Sequence, residues 1–330
     1  MNIKKTRLLL IVLGMLLIML LVLLIALSIG TSNISIFDVL NFFYGNANDN
    51  TILIVKYIRL PRVITSCITG AGLAVSGCIL QAMLQNNLAD PFTLGISGGA
   101  AFGATIALIL KLSTVIFVPI CSFLGALFSA IIVYLISFRF QRIEFDNNIM
   151  ILSGIVVNYV FTSIVMLILI LTKTNNFQSA YMWLMGSFSI FEDTIIYIAS
   201  IIIIVGIIIL SMSGNIINII TLGSDKAKTL GLDFNKKIKF FFIISSLITS
   251  STVAISGVIG FVGLIIPHIV RKIISSNNLI LIPMSAFIGS IFLLICDSLS
   301  RMFVVISLPI GIITNIIGGL FFIYLLVEEY

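Results

Sequence analysis

The dominant pattern along this chain is a series of long apolar runs separated by short polar segments. A membrane-spanning helix needs about 20 mostly apolar residues, because the bilayer core is about 30 Å thick and a helix rises about 1.5 Å per residue. The pattern predicts an all-α polytopic membrane protein. Its ten predicted segments lie near residues 8–29, 63–84, 92–110, 113–137, 149–172, 194–212, 240–256, 258–270, 280–300 and 303–326.

Two of these segments need a separate interpretation. The eighth, 258–270, is too short to cross alone, so we expect a half-helix that its neighbours support. The first, 8–29, follows Lys4, Lys5 and Arg7, as the core of a signal peptide would. Signal-peptide cores are shorter, about 7–15 residues, and the length of this run favours a retained first helix.

The composition supports lipid as the surrounding medium for most of the chain. Hydrophobic residues make up 60% of the sequence and charged residues 9%, and the mean hydropathy is +1.27. Soluble domains average about 45–50% apolar and about 25% charged residues. No polar linker or long charge run divides the chain, so we expect one transmembrane domain over residues 1–330.

The positive charges are distributed unevenly between the loops. The net charge of +6 comes from short basic clusters between apolar runs, which indicate membrane orientation rather than binding to nucleic acid. Lys and Arg are twice as frequent on the side of the N-terminus, which predicts that both termini are cytoplasmic. Arg59, Arg62 and Arg301 fall at the outer ends of spans and are exceptions to this bias.

The residue types that hold metals or perform catalysis are sparse. Cys67, Cys78, Cys121 and Cys296 lie in apolar runs without a CxxC pair, as small hydrophobic residues do. His268 is the only histidine, and one histidine without a cluster of other ligands cannot form a metal site. The sequence has no GxxxxGK[ST] loop. We therefore expect no cofactor, no metal site and no enzymatic activity in this chain.

A few small or charged residues stand out inside the apolar runs. Gly95, Gly99 and Gly103 recur every four residues, which predicts close helix packing, with a substrate path as the alternative. Asp297 is the only acidic residue well inside a run, and Arg301 lies one helical turn later. This spacing favours a structural ion pair over a proton or ion relay.

Several motifs occur in a fixed order along the chain. They are RLPR at 59–62, GAGLAVSG at 70–77, LADP at 88–91, LGISGGA at 94–100, WLMGS at 183–187, GVIGFVGLIIPH at 257–268 and LPIG at 308–311. Together they resemble the FecCD family, the permeases of bacterial importers for iron-siderophores, heme and cobalamin. The resemblance covers nearly all of the chain after residue 55. Asn87 stands where the family usually has Pro, and Ser307 where an acidic residue is common.

The resemblance implies a permease in the bacterial inner membrane that works with several partners. These are two cytoplasmic ATP-binding subunits, an external substrate-binding protein, and a second copy of the chain or a related permease. In the resembled family, arginines at the positions of Arg59, Arg62 and Arg301 receive glutamates of the binding protein. A ferric siderophore is the first expectation for the cargo, and heme and cobalamin remain open.

The predicted cytoplasmic loop at 214–239 is the second region to which the resemblance assigns a role. Residues 224–230 are expected to form a short helix, which Gly231 would end. The resemblance implies that this loop seats on the ATPase and couples its closure to the spans. The residues expected to do so are Leu222, Gly223, Ala227, Leu230 and Gly231. An ordinary basic loop is the alternative.

Two other classes of protein compete with the importer permease. An ion-coupled secondary transporter needs titratable or ion-coordinating groups near the middle of the membrane, and a membrane-embedded enzyme needs paired catalytic groups there. The sequence offers Asp297 and His268, which the topology assigns to opposite faces of the membrane. Both rivals are therefore less favoured than the importer.

Overall fold

The protein is a bundle of α-helices in the computed structural model, which describes residues 2–30, 32, 34–139, 147–171, 182–188, 192–302 and 308–328. No strand occurs in these ranges. The helices are α1 (Asn2–Ser28), α2 (Ile36–Phe43), α3 (Asp49–Ile54), α4 (Leu60–Leu84), α5 (Ile96–Ile109), α6 (Phe117–Arg139), α7 (Asn147–Leu171), α8 (Asp193–Met212), α9 (Gly214–Ile220), α10 (Ser224–Thr229), α11 (Phe234–Ser256), α12 (Val262–Ile273), α13 (Asn278–Met302) and α14 (Ile310–Glu328).

Each of the ten predicted segments contains a helix, so the prediction of an all-α membrane fold is confirmed. Among the described residues, six helical stretches are long and apolar enough to cross a membrane; they contain α4, α6, α7, α8, α11 and α13. Shorter apolar helices lie at Leu13–Ser28, Ile96–Ile109 and Ile310–Leu325. The eighth segment is α12, which has 12 residues and is too short to span alone.

Helix α4 occupies the centre of the bundle. It packs against α8, α9, α11, α12 and α13, and 89% of its most apolar stretch is buried, against 28% for α7. Small residues permit this, because membrane helices associate through close packing rather than through exclusion of water. Gly70 lies against Gly289 of α13, and Gly77 lies against Gly263 of α12. A side chain at either α4 glycine would meet the backbone of the neighbouring helix.

Replacing Gly77 with Val is expected to destabilise the fold, because the new side chain would collide with the backbone at Gly263. Overpacking of this kind costs about 1–3 kcal/mol or more. Gly14→Val is the matched control, since no atom lies within 4 Å of the side-chain position at Gly14. Thermal unfolding of the purified variants in detergent checks this. Equal unfolding temperatures for the two variants would contradict the close approach of α4 and α12.

The predicted glycine stripe divides into two structural roles. Gly99 and Gly103 lie in α5 against Gly125 and Cys121 of α6, where added side chains would meet backbone atoms. Gly95 differs from the prediction, because it precedes α5 and has a left-handed φ of 77°. It ends a short 3-10 turn at Pro91–Leu94, and its carbonyl accepts a hydrogen bond from the Ser129 hydroxyl at 2.6 Å.

Two distant sequence motifs meet at the break between α11 and α12. The segment 182–188 lies against this break, where the Ser187 N–H donates to the Ser256 carbonyl at 2.9 Å. On its other side, the Gly311 N–H at the start of α14 donates to the Met185 carbonyl at 3.0 Å. These backbone bonds join the end of α11 to the beginning of α14.

Candidate functional sites at the two ends of the bundle

The predicted docking arginines lie together at one end of the bundle, which we call the arginine end. Asp297 of α13 is fully buried between two of them. Its Oδ1 lies 2.9 Å from Nε of Arg62 on α4, and its Oδ2 lies 3.0 Å from Nε of Arg301. The Arg301 pair has the i, i+4 spacing that the sequence suggests. The Arg62 pair was not expected, and it fastens α4 to α13.

Arg59 occupies a different environment from the exposed position that docking suggests. The residue is 4% exposed, and Nη1 donates to the carbonyls of Leu27 and Ser28 at 2.6 and 2.7 Å. Its Nη2 donates to the Ser32 carbonyl at 2.6 Å. The last carbonyls of a helix have no partner within the helix, and a cation is favourable there. Arg59 therefore caps the end of α1.

The local backbone places Arg59 at this cap. Residues Val55–Arg59 form a π-helical turn in which the Leu60 N–H bonds to the Val55 carbonyl. Pro61 follows and lacks an N–H, so the regular pattern of helical bonds is interrupted at this point. Such π turns are frequent at functional sites, and here the turn separates α3 from α4.

Among the three arginines, Arg62 is the most accessible. Its side chain is 23% exposed, against 8% for Arg301. Arg301 also donates from Nη1 to the Ile29 carbonyl at 2.8 Å, so it supports the end of α1 together with Arg59. Three guanidinium groups and the single Asp297 carboxylate leave these four residues with an excess of positive charge.

The predicted coupling loop lies at the opposite end of the bundle, which we call the loop end. Gly223 and Gly231 have φ values of 98° and 76° and flank the short helix α10. Ala227 lies within α10 and is fully buried. Leu222 and Leu230 are 52% and 61% exposed, so two large apolar side chains are accessible at this end. The described loop also contains α9, a second short helix that the polar pattern did not predict.

Amide side chains attach α9 to the bundle. The Asn218 amide nitrogen donates to Asn277 Oδ1 at 2.8 Å, and the Asn278 amide nitrogen donates to Asn218 Oδ1 at 2.9 Å. Gln85, at the end of α4, donates from Nε2 to the Ile220 carbonyl at 3.2 Å. Sequence reasoning missed these residues, and polar amides at the ends of apolar runs were the available signal.

Asp233 fixes where α11 begins at the loop end. Its Oδ1 accepts a hydrogen bond from the Lys236 N–H at 3.1 Å, and its Oδ2 lies 3.0 Å from the Lys236 Nζ. Hydrogen bonding to Lys236 holds the pKa of Asp233 below its ordinary value, because it favours the charged carboxylate. The helix therefore starts at Phe234, six residues before the predicted span.

The described residues contain no group of three or more His, Cys, Asp or Glu that could hold a metal ion. His268 lies within α12, with its ring centroid 5.9 Å from that of Phe321 on α14.

The fold and its two charged ends define a multi-pass helical membrane protein of the transporter class. The sequence pattern of the FecCD transport family matches residues 5–328. The chain therefore belongs to the FecCD transport family, and it is a membrane permease of the ABC transporter type.

Named relatives support this assignment across most of the chain. The cobalamin import system permease of Halobacterium salinarum is 35% identical over 83% of this chain and 73% of its own length. The Fe(3+)-citrate import system permease YfmD of Bacillus subtilis is 33% identical over 91% of this chain and 89% of its own length. A solved structure, an inward-facing putative metal-chelate type ABC transporter, has a TM-score of 0.84 at 28% identity and covers 96% of this chain and 98% of its own.

Proposed function

We propose that this chain is the membrane permease of an ATP-driven bacterial importer for an iron(III) chelate such as a ferric siderophore. The observation that carries this proposal is the match to the FecCD transport family over residues 5–328, joined to a fold like that of a metal-chelate type transporter. ATP hydrolysis takes place in separate cytoplasmic subunits, and an external binding protein delivers the cargo. Heme and cobalamin are the other cargo classes consistent with the resemblance.

The distribution of charge supports an orientation for the bundle. The loop end carries the basic residues of the 214–239 segment, and cytoplasmic loops are enriched in Lys and Arg. In this orientation the loop end and both termini face the cytoplasm of the cell, and the arginine end faces outward. The chain then lies in the inner membrane with lipid around its apolar helices.

The arginine end is the proposed docking surface for the binding protein. Its excess positive charge would attract carboxylates, and complementary charge mainly raises the rate and specificity of encounter. Arg62 is the proposed direct contact, because its planar guanidinium fork suits a carboxylate and its side chain has the most solvent access. Arg59 and Arg301 would contribute charge and hold the end of α1 in place.

Exchanging Arg62 for Gln is expected to weaken binding-protein docking about tenfold at low salt and to flatten its dependence on ionic strength. Lys56→Gln is the control, because Lys56 is exposed nearby but pairs with the ring of Tyr57 instead of the arginine cluster. Binding kinetics measured over a range of salt concentrations check this. If both variants behaved alike, Arg62 would not be a docking contact.

The loop end is the proposed seat of the ATPase subunit. Leu222 and Leu230 are large apolar side chains exposed beyond the ends of the apolar helices, as contacts with a partner protein require. Buried Ala227 allows α10 to lie close against the bundle. Movement of α10 by the ATPase subunit would therefore displace the helices that it packs against.

A second copy of the chain, or a related permease, is the proposed partner within the membrane. Ile316, Leu320 and Ile323 on α14 are more than half exposed in the single chain. We place the cargo path between the two copies, near α7, α12 and α14. ATP binding would close the ATPase subunits, and α10 would pass that movement to the helices that line the path.

The ATPase rate of the assembled complex tests this function. The chain is reconstituted in lipid with a candidate P-loop ATPase, with and without a candidate binding protein and candidate cargo. Stimulation by one loaded binding protein is expected and would identify the cargo class. Failure of the chain to assemble with that ATPase would count against the proposal.

A further inference from the structure

Helix α12 contains a backbone carbonyl that its own helix cannot satisfy. Pro267 lies inside α12 and has no N–H, so the carbonyl of Gly263, four residues earlier, receives no helical hydrogen bond from it. Gly263 is buried against α4, and an unsatisfied buried carbonyl is costly in a membrane. A proline at this position also makes the helix easier to bend.

Gln81 of α4 supplies the missing donor. Its Nε2 donates to the Gly263 carbonyl at 3.2 Å and lies 3.5 Å from the Leu264 carbonyl. The side chain is fixed in this position, since Gln81 is 2% exposed. Gly77, one turn earlier in α4, has no side chain and lets α12 approach closely enough for this contact.

The oxygen of the same side-chain amide bonds to a residue that follows Pro267 in α12. Gln81 Oε1 accepts a hydrogen bond from Nη2 of Arg271 at 3.1 Å. Gly263 precedes Pro267 and Arg271 follows it, so one amide joins the two halves of α12 to each other and to α4.

Arg271 makes a second hydrogen bond, to the connection that follows α4. Its Nη1 donates to Asn87 Oδ1 at 2.9 Å, in the connection that follows α4. The resembled family usually has Pro at the position of Asn87, and a proline side chain could not accept this bond. Asn87 therefore adds a polar tie between the end of α12 and the end of α4.

The residue that follows α4 also contacts the proposed coupling loop. Gln85 lies one turn after Gln81 and donates to the Ile220 carbonyl at the end of α9. The C-terminal end of α4 is thus bonded both to the end of α9 and to both halves of α12.

We propose that Gln81 is a positioning residue that braces α12 across Pro267, so that α12 moves as one unit with the last turn of α4. When the loop-end helices move, the brace passes the movement to α12 and keeps α12 from bending at Pro267. This consequence for transport rests on the proposed function, whereas the brace itself is a property of the single chain.

A double-mutant cycle tests the brace without any partner. Gln81→Glu, in the ionised form that the neighbouring Arg271 favours, keeps the acceptor for Arg271 and removes the donor to Gly263. Pro267→Ala restores the helical N–H, so the Gly263 carbonyl no longer needs Gln81. Q81E is expected to lower the unfolding temperature. In the P267A background this decrease is expected to be at most about half as large as in the natural chain. An equal decrease in both backgrounds would show that Gln81 does not compensate for Pro267, and the proposed brace would be wrong.

The number of cargo molecules moved per ATP hydrolysed tests the positioning role in the reconstituted full complex. Q81E is expected to lower this ratio about threefold or more while ATP hydrolysis continues, since coupling rather than the ATPase is affected. Asn87→Pro removes only the hydrogen bond between Asn87 and Arg271, and it is expected to change the ratio less. An unchanged ratio in Q81E would overturn the positioning role, whatever the effect on unfolding. Absence of ATP-driven uptake with the natural chain would instead refute the proposed function and leave the result of the cycle intact.

Discussion

Replacement of Asp297 by Asn is expected to lower the stability of the folded chain by about 3–5 kcal/mol. Asp297 is fully buried, and its two oxygens pair with Arg62 and Arg301 on different helices. A neutral amide would leave two arginines without a counter-charge, one of them almost entirely buried. Thermal unfolding in detergent measures the loss.

Asp49→Asn provides the control for this change, because Asp49 is an exposed acidic residue in the first turn of α3. Its replacement is expected to cost less than about 1 kcal/mol. Within the Asp297→Asn background, Arg62→Met should cost less than it does in the natural chain, since its ion pair is already lost. Similar unfolding temperatures for the two aspartate variants would show that the buried ion pairs do not hold α4 and α13 together.

A Leu222→Asp/Leu230→Asp double variant is expected to lose association with the ATPase subunit by roughly a hundredfold or more. Each leucine is more than half exposed in the single chain and would be buried against the proposed partner. Anchors of this kind contribute about 2 kcal/mol each, and each 1.4 kcal/mol is about tenfold in affinity. Co-purification and titration of the ATPase against the chain in detergent measure the effect.

Thr229→Asp is the matched control, because it adds a carboxylate at an exposed polar position in α10, the short helix between the two leucines. It is expected to retain ATPase binding, and both variants should unfold at the temperature of the natural chain. Full binding by the double leucine variant would mean that the ATPase seats elsewhere.

The spans were the part of the fold that the sequence could predict, because long apolar runs have few alternatives in a bilayer. The short eighth segment was also predictable from its length, and it is α12. Helix bounds at the loop end were less predictable. Helix α9 lies in the segment 214–239, for which the sequence pattern predicts a loop, and amide contacts with α13 help to fix its position.

The arginine end shows what local spacing cannot reveal. Arg301 lies one turn from Asp297, so their pairing is visible in the sequence. Arg62 reaches the same carboxylate from 235 positions away, and Arg59 caps a helix that ends 31 residues earlier. These contacts depend on how α1, α4 and α13 pack, which no periodicity within one helix records. The Gln81 contacts with Gly263 and Arg271 were hidden for the same reason.

The most direct test of the account is uptake of a labelled ferric siderophore into proteoliposomes. These contain the chain with the ATPase subunit that assembles with it, and they are supplied with the loaded binding protein outside and ATP on the side of the loop end. We expect uptake that requires both ATP and the binding protein and that continues after ionophores collapse every ion gradient. Uptake driven by a proton or sodium gradient without ATP would contradict it and would identify an ion-coupled transporter.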